Sequence, residues 1–218
     1  MTILEKRKVP LQMERNQLPA SVMTRTLTHP NTTIYYPQLT GLANHQAEQQ
    51  INQSLLHTVH GLIREQQRVQ VPGNTQMQGS FEIKTNERGI FSVTLSNFAY
   101  TPHMAHPMTF LASVTADVQT GKIYTLRELF KPGSDYVKVL SDSIKKQIVQ
   151  RQLPTLNEFT AISPEQDYYL ADKSLVIYFQ LYELSPYYVG FPMFPISVYD
   201  LESIINEAGP LGILSADV

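Results

Sequence analysis

Cysteine is absent from this 218-residue chain. That excludes disulfides, thiol catalysis, iron–sulfur clusters and cysteine-held zinc together. It does not decide the compartment, because cytoplasmic proteins and exported proteins that avoid stray thiols both look this way. Charge is also scarce. Seventeen basic and nineteen acidic residues leave a net charge of -2, and only 17% of residues are charged. No basic field exists to hold a nucleic acid or an anionic membrane. The run Glu5-Lys6-Arg7-Lys8 reads as a solvated terminus. The ten glycines are scattered, and no P-loop, dinucleotide fingerprint or Gly-x-Ser-x-Gly elbow is present. No stretch approaches the roughly 18 apolar residues of a membrane span. Residues 1–20 carry charges where a signal peptide needs an apolar core, so the chain as written points to the cytoplasm.

What is present is an apolar, aromatic C-terminal fifth. Residues 168–205 hold seven of the twelve tyrosines and three of the nine phenylalanines. Within it, residues 175–182 are apolar on both faces, as in a central strand covered on both sides. A loop punctuated by Pro186, Gly190 and Pro192 follows, then a short strand at residues 196–198. Leu201, Ile204 and Ile205 predict a final amphipathic helix.

Upstream, residues 1–19 show no period and read as an arm. Strands are expected at residues 22–27 and 32–36, the second closed by Pro37. Asn44 stands where an N-cap belongs, and Ala47, Ile51, Leu55, Val59 and Leu62 recur at helical spacing to about Arg68. Gln46, Gln49, Gln50, Gln53, Gln66 and Gln67 are assigned to the outer face of that helix. After Pro72-Gly73-Asn74 a meander is expected. Phe81 and Ile83 lie in one strand, and a turn follows at Asn86-Glu87-Arg88-Gly89. In the next strand Phe91, Val93 and Leu95 form a dry face, opposite a wet face of Ser92, Thr94 and Ser96. A further strand covers residues 110–118, and Asp117 begins a turn that ends at Gly121. Ser134 is assigned as the cap of a second helix, with Val137, Leu140, Ile144 and Ile148 buried and Pro154 beyond its end. The order of elements predicts an α+β fold, a mainly antiparallel sheet packed with two or three amphipathic helices. The expected organisation is an N-terminal arm (1–19), a small subdomain of strands and long helix (20–73) and a C-terminal domain (74–218).

Chemistry-bearing clusters are few. His57 and His60 have metal-like spacing but project away from the apolar stripe, so they read as solvated helix histidines. His103 and His106 lie in a loop between two strands, a common place for recognition residues. A zinc site there needs a third ligand that the sequence does not identify, so no metal and no cofactor is assigned. Asp117 and Glu183 each interrupt an apolar strand or its end and are the best carboxylate pair for glycoside chemistry. The structural reading is preferred for each: a turn bond explains Asp117 without catalysis, and an ion pair with a Lys or a cap of the Ser185-Pro186 turn explains Glu183. Tyr187-Tyr188-Val189-Gly190-Phe191-Pro192 offers rings for a sugar or a protein, or for the core itself.

Two groups of residues carry a resemblance. The first is Tyr100-Thr101-Pro102-His103-Met104-Ala105-His106-Pro107, with the Asp117-to-Gly121 turn and Leu126-Arg127-Glu128-Leu129-Phe130. The second is Tyr178-Phe179-Gln180-Leu181-Tyr182-Glu183-Leu184-Ser185-Pro186-Tyr187 with Gly190 and residues 196–205. They resemble a bacterial family, that of the extracytoplasmic domain of the lysozyme-sensing anti-sigma factor RsiV, also an accessory module of the peptidoglycan deacetylase PdaC. Ile34-Tyr35-Tyr36-Pro37-Gln38-Leu39 resembles the smaller domain that precedes it. Met104 stands where the family has Gly, and Glu128 where Asp is usual. The resemblance implies a non-catalytic binding or sensing module, a partner that is a protein or a cell-wall glycan, and a cell-envelope location. Its expected surface comprises Tyr100, His103, His106, Tyr182, Glu183, Tyr187 and Phe191. The alternative is a glycan hydrolase using Glu183 with Asp117 or His106.

Overall fold

A computed structural model describes residues 19–71 and 74–216. The predicted arm therefore lies outside the described residues except for Pro19, as do Pro72 and Gly73. Two sheets are formed. The first has five strands in the order β1 (Ser21–His29), β2 (Thr32–Thr40), β3 (Gln76–Glu87), β4 (Ile90–Tyr100) and β5 (Met108–Asp117). The second has three, β6 (Tyr168–Ala171), β7 (Ser174–Tyr178) and β8 (Met193–Ser197). All pairings are antiparallel except β2 with β3. The α+β class is as predicted, with two sheets in place of one.

β2 does not stop at Pro37 but runs to Thr40. The reason lies one turn away, in helix α1 (His45–Val69). Asn52 on α1 accepts from Leu39 N–H (2.8 Å) and donates to Leu39 O (2.9 Å). Leu39 therefore turns its backbone groups away from β1. Pro37, two residues earlier, faces the same way, so its missing N–H breaks no bond of the β1–β2 ladder.

Asn44 caps α1 as expected, accepting from Gln46 N–H (3.0 Å) and Ala47 N–H (3.2 Å). The stripe Ala47, Ile51, Leu55, Val59 and Leu62 is buried against the five-stranded sheet. Gln66 corrects the sequence reading. It is fully buried, and its amide donates to Asn97 O (2.7 Å) and Met108 O (2.9 Å). The turn after β5 forms as read, with Asp117 Oδ1 accepting from Gln119 N–H (2.8 Å) and Thr120 N–H (3.0 Å). Gly121 is required there twice over. Its φ is +78°, and a Cβ would lie 2.7 Å from Ala47 Cα.

The second helix, α2 (Tyr136–Gln150), is capped by Asp135 rather than Ser134. Asp135 accepts from Lys138 N–H (3.3 Å), whereas Ser134 Oγ is buried without a partner. β7 ends at Tyr178, four residues before the predicted end, because the chain turns at Gln180–Glu183. The predicted final helix is a 3₁₀ turn, Val198–Leu201, and a short helix α3 (Pro210–Ser215) follows. Leu201 and Ile205 are nonetheless buried.

The wet face of β4 is the largest departure from the sequence reading. Ser92 and Thr94 are buried, because β6 stands edge-on against that face. An edge strand exposes unpaired backbone groups, and buried groups need partners. Side-chain hydroxyls supply them. Leu170 N–H donates to Ser92 Oγ (3.0 Å), Thr85 Oγ1 donates to Leu170 O (2.9 Å), and Asp172 N–H donates to Thr85 Oγ1 (3.1 Å). Ser113 Oγ donates to Tyr168 O, and Tyr178 OH donates to Ser113 Oγ (3.1 Å). The seam separates two apolar cores. One lies between α1 and the five-stranded sheet, and the other joins α2, the three-stranded sheet and the C-terminal segments.

Candidate functional site

Two loops carry most of the candidate residues, residues 101–107 between β4 and β5 and residues 179–192 between β7 and β8. Gln180 brings them to one end of the molecule. Its side-chain amide mimics a strand residue at the edge of β5, donating to Leu111 O (2.7 Å) and accepting from Leu111 N–H (3.2 Å). The same amide donates to Asp167 Oδ2 (2.8 Å).

Glu183 closes the turn that begins at Gln180. Its carboxylate accepts from Gln180 N–H (2.6 Å) and from Gln166 Nε2 (3.0 Å). Of the readings open from sequence, this is a turn cap, made at Gln180 rather than at Ser185-Pro186. Tyr182 takes φ +66°, a left-handed conformation that costs a side-chain-bearing residue roughly 1–2 kcal/mol. The turn holds it there with its ring outward.

His106, Tyr182 and Tyr187 meet. Ring centroids lie 4.4 Å apart for His106–Tyr187, 5.6 Å for Tyr182–Tyr187 and 6.0 Å for His106–Tyr182. The imidazole is held at both nitrogens. Nδ1 lies 2.8 Å from Pro107 O, which can only accept, so Nδ1 carries the proton. In the neutral ring Nε2 then accepts from Tyr182 OH at 2.9 Å. Tyr187 OH donates to the same Pro107 carbonyl (3.0 Å). The cluster thus joins three aromatic side chains from two segments, and Tyr182 remains 46% exposed.

The other predicted residues stand apart. His103 is exposed with φ +75° at the tip of its loop. Tyr100 and Phe191 are half-buried. Among the described residues, no ring contact or side-chain hydrogen bond joins these three to the cluster. Asp117 and Glu183 do not form a pair. Asp117 lies six residues along β5 from Leu111, about 20 Å at the strand rise, and its carboxylate serves its own turn. Asp167 is the group that sequence reasoning missed. Burial holds its carboxyl above the usual aspartate range, the Gln180 amide partly offsets this, and the Glu183 charge adds to it. No residue type or spacing marks Asp167 in the sequence. Among the described residues, no three His, Asp or Glu side chains are grouped to hold a metal, and no helix is long and apolar enough to cross a membrane.

The fold and this loop pair define a class, an α+β module of two mainly antiparallel sheets. Residues 127–199 match the family described as "Protein of unknown function (DUF3298)". Over 175 residues the chain is 30% identical to the "Anti-sigma-V factor RsiV" of Bacillus subtilis (strain 168), covering 73% of this chain and 60% of that protein. The resemblance read from the two motif groups is therefore a real kinship, and the chain spans about 60% of that relative's length. Two crystal structures share the fold. A DUF3298 family member from Bacteroides fragilis NCTC 9343 has a TM-score of 0.64 at 12% identity, covering 91% of this chain and 96% of that one. One from Pseudomonas aeruginosa PAO1 has a TM-score of 0.63 at 14% identity, with coverage of 88% and 96%.

Proposed function

We propose that this chain is a non-catalytic sensing module that binds a protein partner through the His106–Tyr182–Tyr187 cluster. The observation that carries the reading is the rigidity of an exposed aromatic surface. Rings fixed by hydrogen bonds before binding lose little side-chain entropy on contact, which is why tyrosine anchors are favoured at protein interfaces. The kinship to an anti-sigma factor supports a role in sensing. The carboxylates beside the cluster are committed to amide and backbone donors, so they lock turns rather than move protons, and no catalytic step is assigned to them.

The family resemblance makes lysozyme the first probe. Isothermal titration of the protein with lysozyme should give a saturable complex. Tyr187→Ala should weaken it at least about tenfold, the scale of an interface anchor. Lys138→Ala, on the exposed face of α2, should leave it unchanged. A wild-type protein that does not bind lysozyme at micromolar concentrations rules out that partner. Binding that survives Tyr187→Ala rules out this surface.

A further inference from the structure

Among the described residues, the face of the five-stranded sheet opposite α1 is covered only at one end. β6 lies over Ser92 and the hydroxyls around it, and leaves open the half of the sheet where β2, β3 and β4 run side by side. There the register aligns two rows. Thr33, Gln78 and Phe98 form one, and Ser80 and Ser96 the next, with Tyr35 two residues past Thr33 on the same face of β2 and lining the same depression. A shallow depression of ≈ 480 Å³ lies over them. Tyr35 is 49% exposed and Phe98 39%, so neither ring is spent on the core. Gln78 and Ser80 are exposed as well, and Ser80 Oγ lies 2.9 Å from Ser96 Oγ. Gly79 alternates with Gln78 and Ser80 and faces the core side of the sheet, against Ile34. A Cβ there would sit 2.4 Å from Ile34 Cγ2, so the two strands approach closely only without one.

We propose that this open face is a binding site for a neutral, linear saccharide, with Tyr35 and Phe98 as stacking platforms and the Gln78, Ser80 and Ser96 side chains as hydrogen-bonding floor. The chemistry selects the ligand. Exposed rings on a flat sheet match the C–H faces of pyranose sugars, while hydroxyls and amides match their hydroxyl rims. Among the described residues, no Asp, Glu, Lys, Arg or His lines the depression, which suits neither a nucleic acid nor an acidic peptide. Tyr35 and Phe98 are two strands and one row apart, about 12 Å from strand spacing and rise. That span suits sugars i and i+2 of a β-linked chain. Thr26 and Thr28 of β1, opposite Tyr35 and Thr33, extend the uncharged surface to the sheet edge. The proposal is independent of the His106–Tyr187 cluster, which lies on the loops.

The test is a heteronuclear NMR titration of the labelled full chain with cellohexaose and with N-acetylchitohexaose. Saturating amide shifts at Gln78, Ser80, Ser96 and Phe98 are expected with at least one of them. Tyr35→Ala and Phe98→Ala should each weaken binding about fivefold, the worth of one stacked ring, and Tyr35→Phe should keep most of it. Both rings are exposed, so unchanged spectral dispersion in the variants shows that the fold survives. Three results would overturn the proposal: no saturable shift with either sugar, shifts confined to residues 101–107 and 179–192, or undiminished binding by the double alanine variant. Concentration-dependent shifts on this face without sugar would also overturn it, in favour of a second copy of the chain. Loss of lysozyme binding with sugar binding intact would count against the sensing reading alone.

Discussion

Single side chains in this protein are mostly explained by the one backbone group each must satisfy. Glu128 is an example. It replaces the family's usual Asp, yet it accepts from Thr125 N–H and Thr125 Oγ1 (both 2.9 Å) and pairs with Lys122 at 3.0 Å. Those donors, Thr125 first, hold its carboxyl below the usual glutamate range. Asp167 is the opposite case, with its carboxyl raised mainly by burial. An aspartate that holds its proton more tightly in the fold than in the unfolded chain stabilises the fold when protonated. That contribution is full below the ordinary aspartate value and is lost as pH rises through the raised one. Asp167→Asn keeps an acceptor for Gln180 and cannot ionise. Thermal melts between about pH 3.5 and 7, spanning the ordinary aspartate range, should show the variant melting higher than wild type at pH 7, with the gap closing toward the acid end. A gap independent of pH would show that ionisation is not the cause. Tyr168 and Tyr178 are pushed upward by burial and stay neutral donors throughout this range.

At the scale of elements, the hydroxyl seam between the sheets is the feature with the clearest energetic consequence. Thr85 Oγ1 serves Leu170 O and Asp172 N–H together. Thr85→Val keeps the side chain's shape and leaves Leu170 O buried without this partner, while Asp172 N–H lies at an exposed residue. It should cost about 1–3 kcal/mol, the price of an unsatisfied buried group. Ser92→Ala should cost a similar amount by orphaning Leu170 N–H. Urea denaturation reads both, and a change within about 0.5 kcal/mol, the usual surface range, would show that water replaces the hydroxyls. The same seam explains why sequence reasoning misjudged β4. Alternation of Phe91, Val93 and Leu95 with Ser92, Thr94 and Ser96 marks a strand and its register correctly. Pattern alone cannot distinguish hydroxyls that face water from hydroxyls that face the edge of another strand, because both are polar positions at period two. Gln66 escaped for a related reason. It lies one turn beyond Leu62 on the buried stripe, but its residue type groups it with the outer-face glutamines, and the carbonyls that satisfy its amide, Asn97 O and Met108 O, come from β4 and β5.

For the whole molecule, long-range ties hold the C-terminal segment to the first sheet. Arg88, in the β3–β4 turn with φ +52°, donates to Ile213 O, Leu214 O and Ala216 O at 3.3, 3.3 and 2.6 Å. These are the free carbonyls at the end of α3, where a cation is favoured. Arg88→Ala should release α3. Hydrogen exchange of the amides of Ile213 and Leu214 should accelerate, while those of Leu55 and Val59 on α1 stay protected. Equal protection of α3 in the variant would mean that Leu211 and Leu214, both buried, hold it alone. The two cores meet across this architecture. Ile90, the first residue of β4, packs in the core of α2 and the second sheet, while Phe91 packs in that of α1.

The sequence by itself determined the local elements and their kinship. α1 with its Asn44 cap, the Asp117–Gly121 turn, the α+β class and the family all follow from signals within a few residues. Helical period, side-chain capping and turn chemistry act over that distance. It also marked His106, Tyr182 and Tyr187 as candidates, though not which of the seven would meet. That selection was made by Gln180, whose amide docks on Leu111 across 69 residues, and by the turn that Glu183 closes. The burial of Ser92 and Gln66, the separation of Asp117 from Glu183 and the open face around Tyr35 and Phe98 were likewise decided only by tertiary structure. Each depends on which surface of a strand or helix another segment covers, and that is a property of contacts between residues far apart in the chain.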